Sequence, residues 1–403
     1  MQAHAKSTAA LDGIRVLDLG TFIAGPFCAT ILGEFGADVI KVEPPGAGDS
    51  MRRLGTDTEC GDTLLWLSEA RNKKCLTVDL RKEIGRTLVR KIAAKCDIVV
   101  ENFRPGTLEK WGLGYEDLKR DNRGVILVRI SAYGQDGPMR AQPGFARVAH
   151  AFSGLAYLAG EPGRVPVVPG STSLADYMSG LYGAIGALIA LHSRKDSGEG
   201  QVVDLALYES VFRVLDELAP AYQKLGHVRE RMGADVSYVC PHSHYETADG
   251  KWIALACSND DMFARLAAGM GMPGLASEAM YGKKEKRLAA RDEVNRIVAA
   301  WVKSYPCSEV LAICARADVP AGLLNSIADI FADPQYRARG NIGTYPSRIG
   351  DLAVPDVVPR LSATPGAIKW LGPALGEHND SVLREVLGLS EHAIADLRKQ
   401  GVI

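Results

Sequence analysis

Six short apolar runs constrain this chain more than any other feature. They are residues 14–19 (IRVLDL), 37–42 (ADVIKV), 75–80 (CLTVDL), 97–101 (DIVVE), 124–130 (GVILVRI) and 201–206 (QVVDLA). Each has the length of a strand and is rich in Val, Ile and Leu, and helix-patterned stretches such as 27–35 and 81–94 lie between them. Strand, turn, helix, strand is a βαβ unit, and its repetition predicts an α/β fold with a Rossmann-like parallel sheet. Gly- and Pro-bearing loops follow the strands, at 21–26, 43–49, 102–106 and 131–138. Ligands of such sheets sit at these strand ends. The G-x-G-x-x-G fingerprint is absent after the first strand, so a nicotinamide cofactor is not expected.

The stretch 169–194 (PGSTSLADYMSGLYGAIGALIALHSR) combines a turn-rich entry with a long apolar helix. Gly180, Gly183 and Gly186 would let a neighbouring backbone approach closely. Asp176 stands where turn becomes helix, and two readings are open. It caps the helix, or it is a carboxylate held ionised by the helix N-terminus and used as a nucleophile. The run Arg71-Asn72-Lys73-Lys74, directly before a strand, likewise reads as an anion cradle or as a solvated charge run.

A chain of 403 residues can hold two cores. One helix is expected over 207–225, and the unpatterned segment 226–239 marks entry into a smaller α+β domain. That domain would contain an Asp249-Gly250 hairpin, helices over 260–270, 284–302 and 308–317, a strand over 319–324 and a helix over 326–331. The expected division is 1–225 plus 333–403 for the large domain and 226–332 for the small one. A short β element over 349–358 and a helix over 381–387 follow.

Several classes are disfavoured. A formal net charge of −1 gives no footprint for nucleic acid. The longest apolar run is short and Gly-rich for a membrane span, and the N-terminus lacks a signal core, so a cytoplasmic location without membrane contact is expected. Eight cysteines form no C-x-x-C pair and read as packing thiols. His242 and His244 could share a strand face, but no Cys or acidic partner stands at ligand spacing, so no metal is expected. No G-x-S-x-G elbow supports a hydrolase.

A series of motifs runs through the chain in order: Ala24-Gly25-Pro26, residues 36–43 (GADVIKVE), 45–49 (PGAGD), Arg71-Asn72-Lys73-Lys74, 100–106 (VENFRPG), 133–138 (YGQDGP), Ser153-Gly154-Leu155, the Asp176 segment, 198–201 (GEGQ) and 375–378 (LGEH). Together they resemble the class III coenzyme A transferases, the formyl-CoA transferase or CaiB/BaiF family. The resemblance implies that Asp176 is the catalytic nucleophile, passing CoA from one acid to another through an aspartyl-CoA thioester. It implies coenzyme contacts by Phe22, Ile23, Asn72, Lys73, Asn102, Phe103, Lys110 and Tyr133. It implies no prosthetic group and no metal, the CoA thioester being a substrate. Pro44 and Ser131 stand where some relatives carry Arg and Lys, so those contacts do not carry over.

Segment 239–245 is most similar to members using succinyl-CoA and small dicarboxylic acids. Arg147, Arg229, Arg231, His242 and His244 are candidates for an acid's distal carboxylate. An acyl-CoA racemase of the same superfamily is the first alternative, but Phe145 replaces the His of its Gly-His-Asp motif and cannot move a proton. A non-catalytic CoA-binding subunit of a hetero-oligomer is the second. The resemblance also implies an interlocked dimer of like chains or, in some relatives, unlike ones, with the C-terminal tail returning to the large domain.

Overall fold

The structure, a computed structural model, describes residues 9–403. β1 (Arg15–Asp18), β2 (Asp38–Glu43), β3 (Lys73–Thr77), β4 (Ile98–Glu101), β5 (Ile126–Ser131) and β6 (Val202–Ala206) form one sheet of order β3-β2-β1-β4-β5-β6. All neighbouring pairs are parallel. Alternate residues feed two cores, as a pleated strand requires. Val16, Ile126 and Val128 pack on one face with Cys28, Leu32, Ala184 and Ala187. Leu17, Val99 and Leu127 pack on the other with Val89, Ile92 and Leu383. The strands run nearly continuously apolar because both faces are covered.

The crossover helices include α1 (Ala24–Glu34), α2 (Glu83–Ala93), α3 (Tyr115–Asp121), α4 (Ala146–Phe152), α5 (Leu174–Ser197) and α6 (Leu207–Phe212). Strand order reverses between β1 and β4, so their carboxyl ends form the topological switch point of a doubly wound sheet.

α5 is longer than the apolar run within it. It has 24 residues, and an 18-residue window of mean hydropathy 1.4 makes it long and apolar enough to cross a membrane by composition alone. Here it is a core helix, with Ala175, Ser179, Ala184, Ala187 and Ala190 buried. Glycine sets its distance from α1: a Cβ on Gly180 would lie 2.9 Å from Phe27 Cδ1 and 3.0 Å from the Ala24 carbonyl oxygen.

Contacts divide the chain into two compact units. One comprises residues up to Leu155, Pro169–Asp216 and Tyr336–Ile403; the other comprises Ala156–Val168 and Glu217–Gln335. The second unit carries an antiparallel sheet of β7 (His242–Glu246), β8 (Trp252–Ala256) and β9 (Ala321–Leu323), in that order. Its core gathers Tyr245, Ile253, Leu255, Val298, Trp301 and Val310.

Two expected helices are each broken. The 207–225 stretch gives α6 and α7 (Leu218–Leu225), separated where Asp216 adopts φ +50°. The 284–302 stretch gives α8 (Lys284–Ala289) and α9 (Arg291–Lys303), with Ala290 between them. The late β element begins earlier than expected, as the hairpin of β10 (Ile342–Ser347) and β11 (Gly350–Pro355). The tail then covers the open edge of β3. Cys75 N–H donates to His378 Nδ1 (3.2 Å) and Thr77 N–H to Asn379 Oδ1 (2.8 Å) at the start of α10 (Asn379–Leu387). This protects an edge that would otherwise pair with another chain.

The close approach of α5 and α1 yields a stability prediction. Gly180→Val forces the two helices apart and should cost about 1–3 kcal/mol, read from the urea midpoint at unchanged slope.

Candidate active site

The cavity at the switch point has a volume of about 210 Å³. Its walls are the ends of three strands: Thr21 to Ala24 after β1, Asn102 to Pro105 after β4, and Ser131 and Ala132 after β5. Arg140, Gln142, Phe145, Leu207 and Asp176 complete it.

The β1 turn has an unusual backbone, with Phe22 at φ +59°. Its shape is held by buried groups. Asp49 accepts the Phe22 and Met51 N–H groups, both at 2.9 Å. Lys41 Nζ lies 2.8 Å from Asp49 Oδ2 and also donates to the Gly20 carbonyl. Burial pushes the Asp49 carboxyl up, but Lys41 and the backbone donors outweigh it and leave the group below its ordinary range. Asn102 clamps the same turn, accepting Thr21 N–H at 2.7 Å and donating to the Thr21 carbonyl at 2.8 Å.

Asp176 is the third residue of α5 and does not cap it. The N-cap is Ser173, whose carbonyl takes the Asp176 N–H at 2.9 Å. Among the described residues no hydrogen bond or ion pair reaches the Asp176 carboxylate. Burial pushes its carboxyl up to about 6, and nothing counters it. The adjoining N–H, that of Ala175, donates to Nε2 of the buried His150 at 3.0 Å. That bond makes Nε2 the acceptor and places the imidazole proton on Nδ1, which is buried without a partner. Burial, then Arg147, lowers the His150 pKa, in keeping with a neutral ring.

Phe22, Ile23, Asn102, Phe103 and Asp176 therefore converge on one cavity. The other residues named from the resemblance lie outside its lining. Asn72 is buried, donating to the Ala367 carbonyl (2.7 Å) and accepting Lys369 N–H (2.7 Å). Lys73 is buried against Asp18 (2.9 Å) and the Pro26 carbonyl (2.6 Å). The run Arg71 to Lys74 is thus neither a solvated face nor an open cradle: Arg71, Asn72 and Lys73 all point into the protein. Lys110 is exposed, and Tyr133 packs edge-on to Phe152, ring centroids 5.2 Å apart.

None of Arg147, Arg229, Arg231, His242 and His244 belongs to the cavity lining. Arg229 pairs with Glu217, Arg231 stacks on Tyr157, and the two histidines line a separate pocket of the second unit. Sequence reasoning missed Arg140 and Gln142, which lie in a turn-rich loop without a recognisable motif. Arg104 lay inside the 100–106 motif but was not singled out. Among the described residues no group of three or more His, Cys, Asp or Glu is placed to hold a metal.

A doubly wound sheet with a carboxylate in the cavity at its switch point is the frame of a small-ligand site. The sequence model of CoA-transferase family III matches residues 11–379, and the chain belongs to that family. It is 53% identical over 395 residues to the succinyl-CoA–L-malate CoA-transferase alpha subunit of Chloroflexus aurantiacus, covering 98% of this chain and 92% of that one. It is also 53% identical over 400 residues to the beta subunit, covering 98% and 99%. A CAIB/BAIF family protein from Brucella suis has the same fold, with a TM-score of 0.83 and 34% identity over 94% of this chain and 100% of that one.

The Asp176 environment has a sign-definite consequence. Its folded-state value of about 6 lies above the ordinary 3.8, so the folded state binds this proton more tightly than the unfolded state. Above pH 6 the ionised buried carboxylate costs up to roughly 3 kcal/mol; below pH 3.8 the cost vanishes. Asp176→Asn should therefore stabilise the protein at pH 8, with the gain shrinking toward pH 4, as measured by chemical denaturation at both pH values.

Proposed function

We propose that the chain transfers CoA from succinyl-CoA to a small dicarboxylic acid, with Asp176 as the nucleophile. The observation that carries this reading is a half-buried carboxylate without partners in a cavity built from the β1 and β4 turns. The Asp176 carboxylate attacks the thioester carbonyl, giving a mixed anhydride and CoA thiolate. The thiolate attacks the aspartyl carbonyl of that anhydride, releasing succinate and leaving aspartyl-CoA. The acceptor's carboxylate attacks aspartyl-CoA, forming a second anhydride and freeing the thiolate. The thiolate then takes the acceptor's acyl group and restores Asp176. No proton is gained or lost, so neither metal nor prosthetic group is required. The succinyl-CoA and malate in the names of the Chloroflexus subunits support this choice of donor and acceptor.

Phe22, Ile23, Asn102 and Phe103 are proposed to line the coenzyme's path, with Lys110 and Tyr133 beyond the cavity. Asn72 and Lys73 would act by fixing the strand and loop that carry it. The racemase alternative is not favoured: Phe145 has no proton to give, and His150 Nε2 is engaged by backbone. The two compact units are proposed as the large and small domains, and the cytoplasm as the location.

Mixing the protein with succinyl-CoA should give a CoA-sized adduct on Asp176, cleaved by hydroxylamine and seen by intact-mass spectrometry. Asp176→Asn should form none and lose at least about 10³-fold in kcat. Below about pH 6, kcat/KM should fall tenfold per pH unit, because only the ionised carboxylate attacks. Solvent deuterium entering the α-carbon of a branched acyl-CoA, without an adduct, would point to the racemase.

A dimer of like chains is proposed as the working form. Leu181, Ile185, Leu188 and Ile189 share one exposed apolar face of α5. Equal identity to the alpha and the beta subunit supports a single chain serving both roles. Light scattering of this chain expressed alone should give twice its mass. A single-chain mass at micromolar concentration would refute the dimer.

A further inference from the structure

The charges of the cavity are unevenly disposed. Its lining holds one carboxylate, Asp176, and two guanidinium groups, Arg104 and Arg140. Arg104 and Arg140 are exposed side chains, whereas the buried arginines of the framework are committed: Arg52 to Glu43 and Asp62, Arg129 to Glu101 and Glu109, Arg287 to Asp260. Among the described residues neither Arg104 nor Arg140 has an ion pair, and neither comes within ion-pair distance of Asp176. Neither enters the titration of Asp176, which is governed by burial alone. The cavity thus offers a carboxylate in one place and uncommitted positive charge in another.

Size narrows what fits between them. A volume of about 210 Å³ is below the roughly 300–1,000 Å³ that encloses a drug-sized ligand. It admits a small acid or the acyl end of a thioester, not a whole coenzyme. A dicarboxylic acid reacting at one carboxylate carries its second carboxylate away from Asp176 and must have that charge met.

The two arginines differ in the wall they belong to. Arg104 continues the Asn102–Phe103 stretch, which is clamped to the β1 turn and lies on the proposed coenzyme path. Arg140 lies on the loop between β5 and α4, beside Gln142, whose N–H is tied to the Met139 carbonyl at 2.8 Å. From this we infer that Arg140 is the specificity residue that binds the distal carboxylate of the dicarboxylic acid and of the succinyl group, with the Gln142 amide as a second donor. The inference rests on the transferase reading and assigns the acid end of that site. A guanidinium suits the task because its planar fork meets a carboxylate through two hydrogen bonds.

The test compares an acid pair of equal length, succinate and butyrate, in wild type, Arg140→Gln and Arg140→Lys. With succinyl-CoA as donor, and transfer to succinate followed as exchange of isotope-labelled succinate into succinyl-CoA, Arg140→Gln should raise KM for succinate and for succinyl-CoA by about ten- to a hundredfold. Its kcat/KM for butyrate should hold or rise, so discrimination between the acids collapses. Arg140→Lys should fall between, keeping the charge without the fork. An equal loss for both acids, or weaker binding of free CoA with discrimination intact, would overturn the assignment and give Arg140 to the coenzyme. If the wild type transfers CoA to no acid, the transferase reading fails, and Arg140 is judged by binding alone. Succinate should then raise the wild-type melting temperature where butyrate does not, and Arg140→Gln should abolish the difference; equal effects of both acids on the wild type would refute the inference.

Discussion

The site depends on a set of buried charges under the carboxyl ends of the first three strands. Asp18, Lys41, Asp49 and Lys73 are each at most 1% exposed. Bringing an ion out of water costs several kcal/mol, and the expense is tolerable only if every charge is answered. Here each one is. Lys73 meets Asp18 and the Pro26 carbonyl, and Lys41 meets Asp49 and the Gly20 carbonyl with Asp18 at 3.8 Å. Glu43 accepts the Asp49 N–H and two bonds from Arg52. The return on this arrangement is local geometry. A left-handed Phe22 costs of order 1 kcal/mol, and it persists because Asp49 holds its N–H in place. Without that lattice the β1 turn would relax and the cavity would lose one wall.

The proposed nucleophile is built on the opposite logic. The framework charges are compensated; Asp176 is left without partners. A carboxylate near a helix N-terminus usually collects backbone N–H groups, which lower its pKa and its reactivity together. In α5 those donors are spent elsewhere: the Ala175 N–H goes to His150, and those of Asp176 and Tyr177 to the Ser173 carbonyl. The helix keeps its satisfied first turn, and the carboxylate is left without a donor that would lower its pKa. His150 therefore matters as an acceptor that occupies a donor, a role that requires it to be neutral.

How much of this was legible in the sequence follows from where the physics is local. The strands were readable because all but β6 are buried on both faces and mostly apolar. The place of Asp176 was readable because a turn gives way to a helix there, although composition alone did not separate nucleophile from cap. The fact that removes the cap reading, that Ser173 is the N-cap, is one of backbone angles three residues away. The two split helices were missed because apolar pattern continues through both breaks, while residues 213–217, with Asp216 at positive φ, and Ala290 lie outside the helices. The Arg71–Lys74 run misleads by composition. Four polar residues suggest solvent or ligand, yet Asn72 and Lys73 are the long-range ties of the sheet to residues 367–369 and to Asp18. Arg140 was illegible for a plainer reason: its environment is assembled from the ends of three strands, at residues 21–24, 102–105 and 131–132, that lie far apart in the chain.

Phe145 connects the chemistry to what must lie outside the cavity. The aspartyl anhydride proposed for this site would hydrolyse unless water were kept away, so the proposed mechanism needs apolar walls around Asp176. Phe22, Ile23, Ile130, Leu207 and Phe145 are such walls. Phe145 is 66% exposed and packs on one side only, edge-on to Phe22 with ring centroids 5.7 Å apart. An imidazole at this position would carry a proton toward the acyl α-carbon; a phenyl ring can only exclude water. During acyl exchange its open side has to be covered, by the coenzyme's own arm or by a second chain. The single change that removes acid–base chemistry from this wall thus also makes the site dependent on a cover, which couples substrate binding to protection of the intermediate.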